Sequence, residues 1–155
     1  MSFEHILVAA DGSESSRKAA AMAGGLARAL GARVSVLFVQ DDALVVSSAW
    51  GTGDAAGGPP QGAMSVEQVR SRLEQQAHET ALAQAVDALG PALEDVQSAV
   101  VWGHPASEIC RFARENGVDL IVIGSHGRAG IREALLGSVS HSVANRASCP
   151  VTIVR

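Results

Sequence analysis

The sequence predicts an α/β fold: a single open, mainly parallel five-stranded sheet flanked by helices. Three observations carry that expectation. Short apolar runs at 5–10, 33–39, 95–102, 119–123 and 151–154 read as strands. Helix-period segments separate them, and this alternation favours right-handed β-α-β units in one sheet. The fourth run, Leu120-Ile121-Val122-Ile123, opens directly into a glycine-rich loop followed by a helical segment. There the backbone can turn tightly and approach a ligand closely. At 155 residues the chain suits one domain, 1–155, with length enough for a sizeable core.

Each element follows from its residues. The first strand, 5–10, ends at Asp11-Gly12-Ser13, where Asp and Ser suit a helix N-cap and glycine permits the turn. A helix over about 14–30 presents Ala19, Ala20, Ala23, Leu26, Ala27 and Leu30 on one face, with Gly31 as its C-cap. Beyond the second strand, 41–65 contains Gly57-Gly58-Pro59-Pro60 and reads as a flexible insertion. A long helix spans about 66–89. Val66, Val69, Leu73 and Ala77 make one stripe that drifts to Leu82, Val86 and Leu89, and Gly90-Pro91 ends it. After the third strand, Gly103-His104-Pro105 starts a helix that buries Ile109, Phe112 and Ala113 and stops at Asn116-Gly117. A last helix, about 139–146, leads through Ser148-Cys149-Pro150 into the fifth strand.

The stretch from Gly124 to Ser140 carries the most specific chemistry. Gly124, Gly127, Gly137 and Ser138 stand in a Gly-x2-Gly-x9-Gly-Ser pattern. The free N–H groups of the helix start that follows, its positive dipole end, and the hydroxyls of Ser138 and Ser140 all suit a phosphate. The loop is neither a Walker A loop nor a Gly-x-Gly-x-x-Gly dinucleotide fingerprint. Without a Gly-x-Ser-x-Gly elbow, Ser125, Ser138 and Ser140 are not read as nucleophiles, and no catalytic residue is assigned. His126, between two loop glycines, suits a solvated position or a phosphate- or metal-linked one. Arg128 and Arg132 read as solvated, with Arg128 a candidate for a phosphate oxygen. Asp11 suits a helix cap and a direct ligand contact at once. His5, His78, His104 and His141 read as structural or surface residues.

Composition narrows the class. Hydrophobic residues make up 47% of the chain, and 12 Lys plus Arg against 16 Asp plus Glu leave a net charge of −4. That profile is globular, and the mild acidity argues against a general nucleic-acid binder. Cys110 and Cys149 sit in no zinc-ligand pattern and read as buried thiols in a reducing compartment. No signal peptide or membrane-length apolar run is read, so the expected location is cytoplasmic.

The glycine spacing resembles the ATP-binding signature of the universal stress protein family. The likeness covers nearly the whole chain, through Ile6 to Ser13, Gly103-His104-Pro105-Ala106-Ser107-Glu108-Ile109, Asp119 to Arg128, and Gly137 to Val154. It implies a Rossmann-like sheet of the adenine nucleotide α-hydrolase type with strand order 3-2-1-4-5. It implies ATP, with or without Mg²⁺, as the bound cofactor. Ala9, Ala10 and Asp11 would lie by adenine and ribose, Val39 near the adenine, and Ile123 and Gly124 along the base and ribose side. His126 and Gly127 would approach the phosphates, and Gly137, Ser138, Val139 and Ser140 would donate to them. It further implies a stress-response regulatory role with at most slow ATP hydrolysis, and a homodimer paired through 151–154. The 41–65 insertion departs from the family pattern and could cover the adenine edge. A reading of another class stays open: a module for an unidentified protein partner, with the glycine loop as scaffold.

Overall fold

Ile6, Leu7 and Val8 have no exposed surface, as a strand must when it has neighbours on both edges and helices on both faces. They form the centre of β1 (His5–Ala9). In the computed structural model β1 is the middle of a five-stranded parallel sheet. The structure describes residues 3–42, 64–91, 93, 95–127 and 136–155. Most of the expected 41–65 insertion, and Arg128, lie outside the described residues. The elements run β1, α1 (Glu14–Leu30), β2 (Arg33–Gln40), α2 (Val66–Ala77), a π-helical turn (His78–Leu82), α3 (Ala83–Leu89), β3 (Val96–Trp102), α4 (Pro105–Glu115), β4 (Leu120–Gly124), α5 (Ser138–Arg146) and β5 (Val151–Val154). The sheet order is β3-β2-β1-β4-β5, the expected 3-2-1-4-5.

Two apolar layers hold the sheet. On one face, Ala19, Ala20, Ala23 and Ala27 of α1 meet Leu82 and Leu89 against Ile6, Val8, Val34 and Val36. Small side chains let α1 and α3 approach closely: a Cβ on Gly24 would lie 1.9 Å from the Leu89 carbonyl oxygen. On the other face, Ile109 and Ala113 of α4 and Val143 of α5 pack on Leu7, Leu37 and Ile121.

Several helix expectations need correcting. The segment 66–89 is two α-helices joined by the π turn. Its buried residues are Val69, Ala77, Ala81, Leu82, Ala85 and Leu89, while Val66 is 47% and Val86 39% exposed. Positions 69, 73, 77, 81, 85 and 89 repeat every four residues, a spacing that drifts by about 40° per step on an α-helix. The wider i→i+5 turn takes up part of that drift. Leu30 is likewise exposed, lying in the last turn of α1, and Phe112 is half-buried. Cys110 is buried but Cys149 only half-buried, and neither is in a disulfide. Burial raises both thiols above their ordinary pKa, which keeps them protonated at neutral pH.

At the N-terminal ends of the strands, a closed polar network replaces the apolar core. His5 is buried, with Nε2 2.8 Å from Ser35 Oγ and Nδ1 3.1 Å from the Asn116 carbonyl. A carbonyl only accepts, so Nδ1 carries the proton and Nε2 accepts from the Ser35 hydroxyl. The Asp119 carboxylate accepts from the Glu4 N–H at 2.9 Å and the His5 N–H at 3.0 Å.

Candidate functional site

At the opposite end of the sheet, the chain leaves β1 toward β2 and leaves β4 toward β5, in opposite directions. Such a divergence leaves a crevice at the strand C-termini. Here it is a cavity of about 530 Å³ on the α4 and α5 side, within the usual range for small-ligand sites.

The walls differ in chemistry. One end is apolar: Ala9 and Ala10 at the end of β1, Leu37 and Val39 on β2, Pro105 and Ile109 on α4, and Ile123 on β4. The other end is the loop Gly124, His126 and Gly127 with Leu136 and the start of α5 at Gly137, Ser138, Val139 and Ser140. Asp11 and Ser16 complete the lining. Three helices therefore bring their first turns to one cavity. α1 is capped by its own residue: Ser13 Oγ accepts from the Ser16 N–H at 3.2 Å. Asp11 Oδ1 in turn accepts from the Ser13 N–H at 2.8 Å. α4 and α5, by contrast, have no side-chain N-cap.

The loop is held by its own backbone. The Gly137 N–H donates to the Ser125 carbonyl at 2.7 Å, and the Ser13 and Ser15 hydroxyls donate to the His126 carbonyl. Ser125 Oγ lies 2.9 Å from His126 Nδ1. Glycine is required by this packing. A Cβ on Gly124 would come within 2.5 Å of Ser15 Oγ and 2.7 Å of the Ser15 carbonyl carbon, and one on Gly137 within 2.9 Å of the Ser125 oxygen. At Gly127 a Cβ would sit 3.1 Å from Asp11 Oδ2, so the loop closes toward the Asp11 carboxylate.

Apart from Arg128, every residue that the sequence nominated lines this one cavity. Ser140 does so in a different manner from the expectation. Its hydroxyl is buried and donates into the loop, to the Ser125 and Gly137 carbonyls at 3.1 and 2.9 Å. It braces the loop instead of offering an O–H to the cavity. Sequence reasoning missed Ser16, Leu37, Pro105, Ile109 and Leu136. Leu37 was within reach, because it lies two residues before Val39 and shares its face. Pro105 and Ile109 are one helical turn apart on α4, and only tertiary packing brings them to β1 and β4. Among the described residues no group of three or more His, Cys, Asp or Glu is placed to hold a metal ion.

The model of the universal stress protein family matches residues 2–155. The chain belongs to the universal stress protein family. The universal stress protein YxiE of Bacillus subtilis is 37% identical over 158 residues, covering 99% of each chain. The universal stress protein UspA of Lactobacillus plantarum shares the fold with a TM-score of 0.75 at 24% identity, covering 100% of this chain and 99% of that one. A universal stress protein of Archaeoglobus fulgidus, solved in complex with dAMP, is 25% identical with a TM-score of 0.65, and each chain is covered completely. Among the described residues no helix is long and apolar enough to cross a membrane.

Proposed function

We propose that this universal stress protein binds ATP in the 530 Å³ cavity, and that occupancy sets the state it presents to a partner in the cytoplasm. The observation that carries the reading is the polarity of the cavity. An apolar half suits a purine, and the half at the α5 start suits phosphates. α5 has no side-chain cap, so its first N–H groups and its positive dipole end are available to an anion. Asp11, between the halves, stands where a carboxylate would accept from ribose hydroxyls. The dAMP complex of the Archaeoglobus fulgidus relative supports an adenine nucleotide. Magnesium, where it accompanies the nucleotide, would be held mainly by phosphate oxygens and water, as that ion prefers. Hydrolysis is slow at most, because the glycine-rich stretch carries no Walker lysine and, among the described residues, no acidic cluster stands ready to hold a metal at the transferring phosphoryl group.

The close packing at Gly124 and Gly137 favours a second reading, in which the loop is scaffold and the chain only binds a protein. One substitution separates the two. Ser138→Asp places a carboxylate in the first turn of α5, where it favours the helix dipole but repels phosphate. In a thermal melt, saturating Mg-ATP at a hundredfold excess over Kd stabilises the wild type by about 2.7 kcal/mol, a rise of roughly 5–10 °C. Ser138→Asp shows none of that rise while folding normally. No rise in nucleotide-free wild type supports the scaffold reading instead.

The edge strand β5 supports a homodimer. The Ile121 N–H donates to the Pro150 carbonyl and the Ser125 N–H to the Val154 carbonyl. In a parallel ladder the intervening residues Val151 and Ile153 then turn their backbone groups to the open edge. Unpaired edges of this kind are usually covered. Proline is tolerated where the lost N–H faces outward, so Ile153→Pro gives a folded monomer by light scattering; a variant that stays dimeric excludes this edge.

A further inference from the structure

α2 and α3 follow one another in the chain but are held very differently. α3 buries Ala85 and Leu89, and α1 packs directly against it at Gly24 and Leu89. α2 has 12 residues, of which only Val69 and Ala77 are buried. Ala77, beside the π turn, belongs to the core layer of α1 and α3. Val69 does not: with Leu73 and Trp102 it forms a small apolar cluster apart from both layers. Between α2 and the end of β2 lies a recess of about 300 Å³, with Leu73, Gln76 and Ala77 on one side and Phe38 and Val39 on the other. Protein interiors are close-packed. A helix standing over a space of that size therefore rests on the sheet at points and not along its length.

One of those points is a clasp. Trp102 is the last residue of β3, and two residues of α2, one helical turn apart, reach its indole. The Nε1–H donates to the Glu74 carboxylate at 2.6 Å. The Arg70 guanidinium lies 4.9 Å from the ring centre, and it also meets Asp42 at 3.2 Å. Such contacts at a partly exposed site are individually modest. The other point is a pivot. α2 does not run on into α3 as one α-helix but widens into the π turn His78–Leu82. There Ala81 and Leu82 are fixed in the core. Helices bend at π bulges, which are frequent at functional sites.

A loosely packed helix between a small clasp and a bending point has what local opening requires: few buried apolar contacts and a firm neighbour to leave behind. We propose that α2 is a hinged flap, latched by Trp102 and pivoting at the π turn, that opens while the sheet, α1 and α3 stay folded. Opening bares Phe38 and Trp102 at the strand ends, together with the Val69 and Leu73 side of α2. The protein thereby has two surfaces at this end of the sheet. They lie next to the cavity at the strand C-termini, which shares Asp11 and Val39 with the recess.

Native-state amide exchange of the full chain, without nucleotide, tests the flap independently of ATP binding. Amides of residues 70–77 exchange on the order of a hundredfold faster than those of β1. Their rates do not change in low urea, because opening a flap exposes little surface, whereas β1 amides exchange through global unfolding and speed up. The boundary between fast and slow exchange falls within 78–82. Ile121→Val, in the core under α4 and α5, destabilises the open and closed forms alike. It speeds β1 exchange about fivefold and leaves 70–77 unchanged. Glu74→Ala weakens the clasp and speeds 70–77 about fivefold. Glu74→Gln keeps an acceptor for the indole and recovers most of that loss, and in a Trp102→Phe background Glu74→Ala has little further effect. The proposal fails if 70–77 respond to urea and to Ile121→Val as β1 does, if α3 exchanges as fast as α2, or if Glu74→Ala leaves 70–77 at the wild-type rate.

Discussion

The two ends of the sheet are built from the same strands and do opposite things with their polar groups. At the N-terminal end, His5, Ser35, Asn116 and Asp119 pair with one another and with the backbone around them. At the C-terminal end, α4 and α5 begin without side-chain caps, and their first turns line a cavity. Paired groups stabilise and bind nothing; groups left for a ligand bind at some cost to the free protein. In this family member the division of labour follows the direction of the strands, because helices that return to a parallel sheet start at its C-terminal edge.

If that division is right, damage at the two ends has different signatures. The largest effect is expected from Gly124→Ala. The new Cβ meets the backbone of Ser15 and Ser16 at 2.7 and 2.8 Å, atoms that cannot rotate away. Overpacking of this kind costs about 3 kcal/mol, read by urea denaturation, and displacement of the α1 start also shrinks the Mg-ATP melt shift. Asp119→Ala, at the closed end, removes the acceptor of two backbone N–H groups. We expect a loss of about 2 kcal/mol with the Mg-ATP shift intact. A variant at the closed end that loses ATP binding while folded would end the comparison.

The smallest effect is a pH dependence at the closed end. Burial, and then the Arg33 guanidinium, hold the His5 imidazole below its ordinary pKa, against smaller opposing contributions from the Asn116 carbonyl and the Asp119 and Asp95 carboxylates. A folded-state pKa below the unfolded one means that the native state favours the neutral ring. Its contribution is present in full above the unfolded value, about 6.5, and is lost as pH falls from there through the folded value. Melts from about pH 7.5 to about pH 5 should therefore decline more steeply in wild type than in His5→Asn, with carboxylate titration common to both. Equal slopes would remove His5 from the account.

How much was legible beforehand differed by feature. The glycine spacing, Asp11 and the helix start at Ser138 were readable because backbone chemistry at a loop is local: a turn needs glycine, and a helix start offers N–H groups. Gly31 was readable for the same reason, and it adopts the left-handed conformation with φ 68°. The long helix was misread where its pattern depends on a neighbour. Val86 looked like part of a stripe and Ala81 and Ala85 did not stand out, since the face that is buried is chosen by α1 and β2. In the sequence His5 reads, with His78, His104 and His141, as a structural or surface residue; the structural role holds, but its partners are not legible. Nothing near it in sequence announces Ser35 or Asn116, which lie 30 and 111 residues away.

By itself, then, the sequence determined which segments are strands and helices, the parallel class of the sheet, and the glycine positions that frame the end of β4 and the start of α5. These rest on short-range periodicity, capping and backbone freedom. Only the tertiary structure decided which side chains from distant segments share a space: Pro105 and Ile109 closing the cavity at the strand C-termini, and the closed network at the far end. Such contacts cost chain entropy that many simultaneous packing interactions must offset, so no single stretch of residues encodes them.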